Sequence, residues 1–180
     1  MVIIIEGIDR VGKTTLANKI SEEFDVPIYK QDRIGGNFVN LSRRRSGNTM
    51  IQQNVLHNYI RANTLVDFWN WSGFTQNIIM DRFHWTEAVY SLIDRNSPEQ
   101  YENMKLIEKS MLEHKDKYMI IYVVPTDINW SSRQHGKDLT RHNEEFNMLY
   151  KDSKLNKYMC SLFSIDMAID KVRGVLNGKG

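Results

Sequence analysis

The amino-terminal part of the chain contains the stretch Gly7-Ile8-Asp9-Arg10-Val11-Gly12-Lys13-Thr14, followed by Thr15. Its spacing is G-x-x-x-x-G-K-[ST], in which the two glycines let successive backbone N–H groups turn inward around phosphate oxygens. The apolar run Val2–Glu6 before it predicts a buried strand, and the apolar spacing of Thr14–Phe24 predicts a helix. The sequence therefore predicts that residues 7–15 bind the phosphates of a nucleoside triphosphate at the positive end of this helix.

The charged residues of this stretch suggest distinct tasks. We expect Lys13 to place a cation on the terminal phosphates, and the Thr14 hydroxyl to bind Mg²⁺ that bridges them. Asp9 brings an unfavourable negative charge close to the phosphates, so we expect it to accept a hydrogen bond from a sugar hydroxyl. Arg10 can stabilise the phosphoryl group in flight, as an arginine finger supplied by the same chain. For Asp9 and Arg10 the alternative is a solvated loop charge.

The rest of the chain alternates short apolar runs with longer amphipathic segments. Strands separated by helices imply right-handed crossovers and a parallel sheet, and near-continuous apolar strands fit a sheet covered on both faces. We therefore predict an α/β fold of three layers with a five-stranded parallel sheet. The later predicted strands are residues 26–30, 77–81, 118–124 and 158–165. The later predicted helices are residues 50 to about 68, 85–93, 98–113, 143–153 and 167–176, with another starting at 127–132.

A second acidic site follows the third predicted strand, which ends in Asp81-Arg82. Asp81 is a candidate ligand of the same Mg²⁺ and a candidate catalytic residue. Arg82 stands where hydrolytic enzymes usually carry a second acid, and an arginine suits bidentate capture of a phosphate. The pair favours transfer to an acceptor over hydrolysis, with a salt bridge at the strand end as the alternative. We expect His84, two residues on, in a partly exposed loop.

Two basic segments are candidates for further phosphate contacts. Residues 132–142 combine glycine with several charges, which predicts a mobile lid that closes over the transferred phosphoryl through Arg133 and Arg141. The alternative for this lid segment is a solvated surface loop. The segment 33–45 carries four arginines and could help to bind the acceptor phosphate, although an ordinary exposed loop explains it equally well.

Composition limits the class of protein. The 180 residues carry 24 Lys+Arg and 22 Asp+Glu, and a net charge of +2 argues against a protein dedicated to a polynucleotide partner. The one cysteine, Cys160, excludes an internal disulfide framework and favours a reducing compartment. No apolar run is long enough for a membrane span. We expect a single domain over residues 1–180, cytoplasmic, without membrane contact.

Two motifs resemble those of the thymidylate kinase family. Residues 6–15 resemble E-G-x-D-x-x-G-K-[ST]-T, and Asp81-Arg82-Phe83-His84-Trp85-Thr86 with Tyr90 is similar to D-R-[YFH]-x-x-S-x-x-x-Y. The resemblance implies the P-loop kinase fold, often as a homodimer. It also implies transfer of the γ-phosphoryl of ATP, with Mg²⁺, to a small-molecule acceptor, a deoxynucleoside monophosphate such as dTMP.

The resemblance also suggests roles for acceptor-site residues. Asp9 would contact the 3′-hydroxyl side of the acceptor, Arg82 would hold its phosphate, and Thr86 would lie beside the base. Tyr90 would pack against the deoxyribose, and Arg10 matches family members whose catalytic arginine lies in the loop. The remaining matches depart from the family pattern: Arg33 stands in a segment without the usual R-x-P, and Tyr59 and Arg61 reach the base only with a changed register.

Other P-loop proteins remain as alternatives. In a deoxynucleoside kinase a sugar hydroxyl of the substrate attacks the phosphoryl group, and a carboxylate base is needed after the second strand. In this sequence Asp32 is the only nearby acid. A GTP-binding switch needs D-x-x-G well after the loop and an N-K-x-D motif. Here Asp32-Arg33-Ile34-Gly35 comes too soon, and the Asn156-Lys157 pair lacks the following aspartate.

Overall fold

The sheet is parallel throughout, so the carboxyl ends of its strands lie at the same edge. The structure, a computed structural model, describes residues 1–30, 62–71 and 73–178. These residues form β1 (Val2–Glu6), β2 (Ile28–Lys30), β3 (Ile78–Asp81), β4 (Tyr118–Val123) and β5 (Asn156–Cys160). The strand order is β2-β3-β1-β4-β5, with every pairing parallel, so the predicted five-stranded parallel sheet is confirmed.

The helices form a layer on each face of the sheet. One layer has α1 in contact with α7, and the other has α3 in contact with α4 and α6. No helix within the described residues is both long and apolar enough to cross a bilayer. The helices are α1 (Lys13–Phe24), α2 (residues 62–70), α3 (His84–Asp94), α4 (Pro98–Leu112), α5 (Ile128–His135), α6 (Thr140–Asp152) and α7 (Ile165–Leu176).

The two central strands form the core of the sheet. Every residue of β1 and of β4 is buried, as expected for strands with a helical layer on each face. Glu6 ends the otherwise apolar β1 and is buried as well. Since ligands of parallel sheets lie at the carboxyl ends of the strands, the residues that follow β1 and its neighbour β3 occupy the expected binding edge.

The predicted position of the fifth strand is wrong. The predicted segment was 158–165, whereas β5 is Asn156–Cys160 and a 3₁₀ turn over Leu162–Ser164 leads into α7. Ser161 and Ser164 cap this turn reciprocally, with the Ser161 N–H donating to Ser164 Oγ at 2.9 Å. The apolar pair between these two serines therefore belongs to a turn, although it resembles a strand in the sequence.

The predicted lid loop over residues 132–142 is also wrong in most of its length. Helix α5 continues to His135 and α6 starts at Thr140, so only residues 136–139 connect the two helices. Gly136 adopts a left-handed conformation with φ 80° and caps α5, which is a common use of glycine at a helix end. The basic segment 33–45 and most of the predicted helix 50–68 lie outside the described residues.

Candidate active site

Two glycines of the loop between β1 and α1 closely approach neighbouring residues. Gly7 has φ 139°, and a Cβ atom there would lie 2.4 Å from the Val123 carbonyl oxygen at the end of β4. Gly12 has φ 95°, and a Cβ atom there would lie 2.1 Å from Leu162 Cδ2. The loop is therefore pressed against the carboxyl end of the sheet, with its backbone in the conformation that a phosphate cradle needs.

Lys13 is folded into this loop. Its side chain is buried, and its ammonium group donates a hydrogen bond to the Ile8 carbonyl oxygen. Burial, followed by the nearby charge of Arg82, lowers the pKa of Lys13 to about 7. A bound polyanion would compensate this buried cation, which is the role that the spacing of the motif predicts for it.

Thr14 and Asp81 meet at the base of the loop. The Thr14 hydroxyl donates to Asp81 Oδ2 at 2.8 Å, while Asp81 Oδ1 is buried and has no hydrogen-bond partner among the described residues. A hydroxyl oxygen and a free carboxylate oxygen are the hard ligands that Mg²⁺ prefers. The described part of the chain contains no group of three or more His, Cys, Asp or Glu side chains suited to a metal. The pair therefore fits a Mg²⁺ ion that takes its other ligands from phosphate and water.

Asp9 is the meeting point of three elements. Its carboxylate forms an ion pair with Arg82 through Oδ1 and lies 2.7 Å from His135 Nε2 through Oδ2. Its backbone N–H donates to the Tyr90 hydroxyl oxygen at 3.2 Å. Asp9 is only 4% exposed, so these contacts are shielded from water. The β3–α3 turn, α3 and α5 all contact the phosphate-binding loop through this one residue.

Glu6 has a function that the sequence did not reveal. Its carboxylate accepts hydrogen bonds from the backbone N–H groups of Phe83 (3.0 Å), Trp85 (3.0 Å) and Thr86 (3.1 Å), which open α3. Burial raises the pKa of Glu6, against the opposing effects of His84 and these hydrogen bonds. Glu6 therefore fixes the start of α3. It also fixes the turn that precedes α3, in which Arg82 has a backbone φ of 77°.

Thr86 and Tyr90 both lie on α3, and the hydroxyl group of each forms a hydrogen bond. The Thr86 hydroxyl donates to Glu6 Oε2 at 2.5 Å. The Tyr90 ring lies 4.9 Å from the His142 ring and has the Lys137 ammonium 5.4 Å from its centre. Burial, and then the charge of Asp9, raises the pKa of Tyr90 well above its usual value, so this hydroxyl stays protonated.

The predicted arginines of the loop and the lid lie near the surface. Arg10 is exposed and has a left-handed φ of 66°. Arg133 lies 3.9 Å from Asp127 with 67% of its side chain exposed, and Arg141 is exposed. The residue of the predicted lid that contacts the loop is His135 instead. Three predicted acceptor-site residues lie outside the described residues: Arg33, Tyr59 and Arg61.

The predicted exposure of His84 is wrong. Its side chain is buried, with Nε2 3.2 Å from Glu108 Oε2, and Trp85 Nε1 donates to the same oxygen at 2.9 Å. Burial alone would raise the pKa of Glu108, but the hydrogen bond and charge of His84, together with the hydrogen bonds of Ser153 and Trp85, outweigh burial and lower it to about 2. His84 is the first residue of α3, and Glu108 lies on α4. Their contact therefore holds the start of α3 against α4.

Comparisons with known proteins support the fold through structure rather than sequence. No family model matches the chain, and no curated protein matches it. The YorR protein of Bacillus subtilis, solved with phosphorylated GDP, has a TM-score of 0.64 and 22% identity, covering 98% of this chain and 96% of its own. Deoxyadenosine kinase from M. mycoides has a TM-score of 0.60 and 16% identity, covering 99% and 100%. Thymidylate kinase from Candida albicans has a TM-score of 0.54 and 15% identity, covering 98% and 91%.

The predicted fold class is confirmed by these likenesses. The chain has the three-layer α/β fold of P-loop kinases, with its loop, Asp81 and Arg82 at the carboxyl edge of the sheet. At identities of 22% and below, the likenesses establish the fold, and the activity must be argued from the chain's own residues.

Proposed function

We propose that this protein is an ATP-dependent nucleotide kinase that transfers the γ-phosphoryl of ATP to a deoxynucleoside monophosphate, with a dTMP-like acceptor preferred. The observation that carries the proposal is the position of Arg82. Its guanidinium lies at the end of β3, faces the phosphate-binding loop and contacts Asp9 within that loop. A cation there can bring a second phosphate to the one held by the loop.

The donor side is formed by the loop and the start of α1. We assign the binding of the triphosphate to backbone N–H groups of the loop, the positive end of α1 and the buried Lys13 ammonium. Thr14 and Asp81 would hold Mg²⁺, and the ion would neutralise charge on the terminal phosphates. The Arg10 side chain starts from the same loop, and we assign it the stabilisation of the transferred phosphoryl, with Arg133 and Arg141 as second candidates.

The acceptor side is formed by Arg82, Asp9 and Tyr90. A guanidinium has five N–H donors, so Arg82 can bind a phosphate while it keeps its contact with Asp9. An oxygen of the acceptor phosphate then attacks the γ-phosphorus, and the bond from that phosphorus to the bridging oxygen of ADP breaks. The products are ADP and a deoxynucleoside diphosphate. Excluding water from the buried surroundings of Asp9 suppresses hydrolysis.

A deoxynucleoside kinase is the second candidate. The ion pair with Asp9 already offsets part of the positive charge of Arg82. A neutral acceptor needs less positive charge at this position than an anionic acceptor does. The structural likeness to deoxyadenosine kinase, with a TM-score of 0.60, is also greater than that to thymidylate kinase, with 0.54. In this alternative the 5′-hydroxyl of a nucleoside attacks instead of a phosphate oxygen.

An ADP-release assay with Mg²⁺ and ATP across deoxynucleosides and their monophosphates tests the proposal. We expect ADP release with a monophosphate, formation of the matching diphosphate, and loss of both in Lys13→Ala. Activity on nucleosides without activity on monophosphates would establish the second candidate instead. Absence of transfer to every acceptor would overturn both.

A further inference from the structure

The last residue of α5 and the short turn that joins α5 to α6 contact the proposed acceptor site at two points. His135 reaches Asp9 in the phosphate-binding loop, with Nε2 2.7 Å from Oδ2. Two residues later, the Lys137 ammonium donates to both carboxylate oxygens of Asp94 on α3, each at 2.7 Å. The left-handed Gly136 between them reverses the chain, so that its neighbours contact different elements.

The contacts of His135 and of Lys137 both connect to Asp9. His135 acts on its carboxylate directly. Lys137 also lies over the ring of Tyr90, whose hydroxyl accepts the hydrogen bond from the Asp9 backbone N–H. The His142 ring packs on the same tyrosine, and its Nε2 lies 2.8 Å from Asp94 Oδ1. The end of α5 therefore contacts the side chain of Asp9 directly, while Lys137 of the turn and His142 of α6 pack on the tyrosine that binds the Asp9 backbone.

The carboxylate of Asp9 transmits this constraint to Arg82. The two oxygens of a carboxylate are rigidly related, so a partner that fixes Oδ2 also fixes the direction in which Oδ1 presents itself to the guanidinium. His135 holds Oδ2, and Arg82 is bound at Oδ1. The side chain of Asp9 is 5% exposed and that of His135 is 22% exposed, so water competes weakly for this hydrogen bond.

We propose that His135 is a positioning residue for the acceptor: it orients the Asp9 carboxylate, which in turn orients the Arg82 guanidinium toward the acceptor phosphate. This inference rests on the proposed function. His135 acts through Asp9 and takes no part in bond making. It follows that loss of His135 weakens acceptor binding selectively and leaves the ATP side of the site intact.

The test compares His135→Ala with His135→Gln in steady-state kinetics. His135→Ala should raise the KM for the acceptor about tenfold, because a hydrogen bond to a charged group is lost, while the KM for ATP stays within about twofold. The glutamine amide places an N–H donor close to the position of Nε2, so His135→Gln should restore most of the acceptor KM. Gln134→Ala, an exposed neighbour on the same helix, is the matched control.

A double-mutant cycle separates positioning from a general effect on the fold. In an Asp9→Ala background, His135→Ala should add nothing to the acceptor KM, since the residue through which it acts is gone. Any of three results would overturn the inference. These are equal rises in the KM for the acceptor and the KM for ATP, an acceptor KM for His135→Gln no better than that for His135→Ala, and additive effects of His135→Ala and Asp9→Ala. A wild-type protein that transfers phosphate to no acceptor would instead refute the proposed function.

Discussion

The Arg82 guanidinium is ion-paired with the Asp9 carboxylate, and this contact joins the end of β3 to the loop that follows β1. The two strands are neighbours in register, with Ile5 opposite Asp81, and the Arg82 N–H donates to the Ile5 carbonyl oxygen at 3.0 Å. The left-handed backbone of Arg82 is unusual for a residue with a side chain and is typical of functional sites. In the proposed function, this ion pair marks the place where the acceptor phosphate meets the loop between β1 and α1.

Replacing Arg82 by alanine should impair the acceptor more than ATP. Because the lost contacts are hydrogen bonds to a charged phosphate, we expect the acceptor KM to rise about tenfold to a hundredfold. The KM for ATP should change by less than about threefold. Steady-state kinetics with each substrate varied in turn measures the difference. Equal effects on both substrates would assign Arg82 to the general structure of the site.

Replacing Arg10 by alanine should act on the chemical step. If this arginine stabilises the transferred phosphoryl, kcat should fall by about two to three orders of magnitude, with little change in ATP affinity. Because Arg10 is exposed, the thermal unfolding of the variant should match that of the wild type. Lys19→Ala removes a cation from the exposed face of α1 and serves as the control. A kcat within about twofold of the wild type would exclude this role.

The two loop glycines should differ in their tolerance of a methyl group. In Gly7→Ala the new Cβ atom meets a backbone carbonyl oxygen of β4, which cannot move without distorting the sheet. In Gly12→Ala it meets the flexible end of Leu162, although the left-handed φ is strained in both. We therefore expect Gly7→Ala to lose more ATP affinity and a larger part of the free energy of unfolding. Calorimetry with ATP and chemical denaturation measure the two quantities.

Leu162 offers a check on that explanation. In a Leu162→Ala background the steric part of the Gly12→Ala effect should disappear, while the Gly7→Ala effect should be unchanged because its clash is with Val123. Rescue of both variants, or of neither, would show that the close approaches do not determine the difference.

Stability at acid pH should depend on Glu108. The pKa of Glu108 is lowered from 4.5 to about 2 in the folded protein, so its contribution to stability is present above pH 4.5 and is lost as the pH falls toward 2. That shift corresponds to about 3 kcal/mol. We expect Glu108→Gln to lower the free energy of unfolding near pH 7 and to converge with the wild type at low pH. A difference that is independent of pH in denaturation experiments would contradict this.

The central strands could be predicted from sequence more accurately than the edge strand β5, of which only residues 158–160 fell within the predicted range. For β1, β3 and β4 the apolar runs matched the strands within one residue, because these strands are buried. In β5, an edge strand, Asn156 and Met159 are exposed, so the pattern is diluted. The apolar pair Leu162-Phe163 extended the predicted strand past its end, although Phe163 is 91% exposed.

Local motifs predicted part of the candidate site. The spacing around Lys13 and the strand-end pair Asp81-Arg82 pointed to the residues that meet at this edge, whose contacts link the two motifs. Glu6 and His135 were missed because their partners are distant in sequence, Asp9 and His135 being 126 residues apart. The signals available for Glu6 were an acid at the end of an apolar strand and its place at the start of the motif over residues 6–15. The homodimer and the assigned roles of the site residues stay predictions.

The proposed function requires that this edge of the sheet binds two nucleotides at once, with their phosphates facing each other between the loop and Arg82. An equilibrium titration tests it: the protein is saturated with Mg²⁺ and a non-hydrolysable ATP analogue, and a deoxynucleoside monophosphate is then added. We predict that the monophosphate binds one per chain, leaves the analogue in place and is weakened in Arg82→Ala. Displacement of the analogue, or monophosphate binding that is the same in Arg82→Ala, would contradict the account.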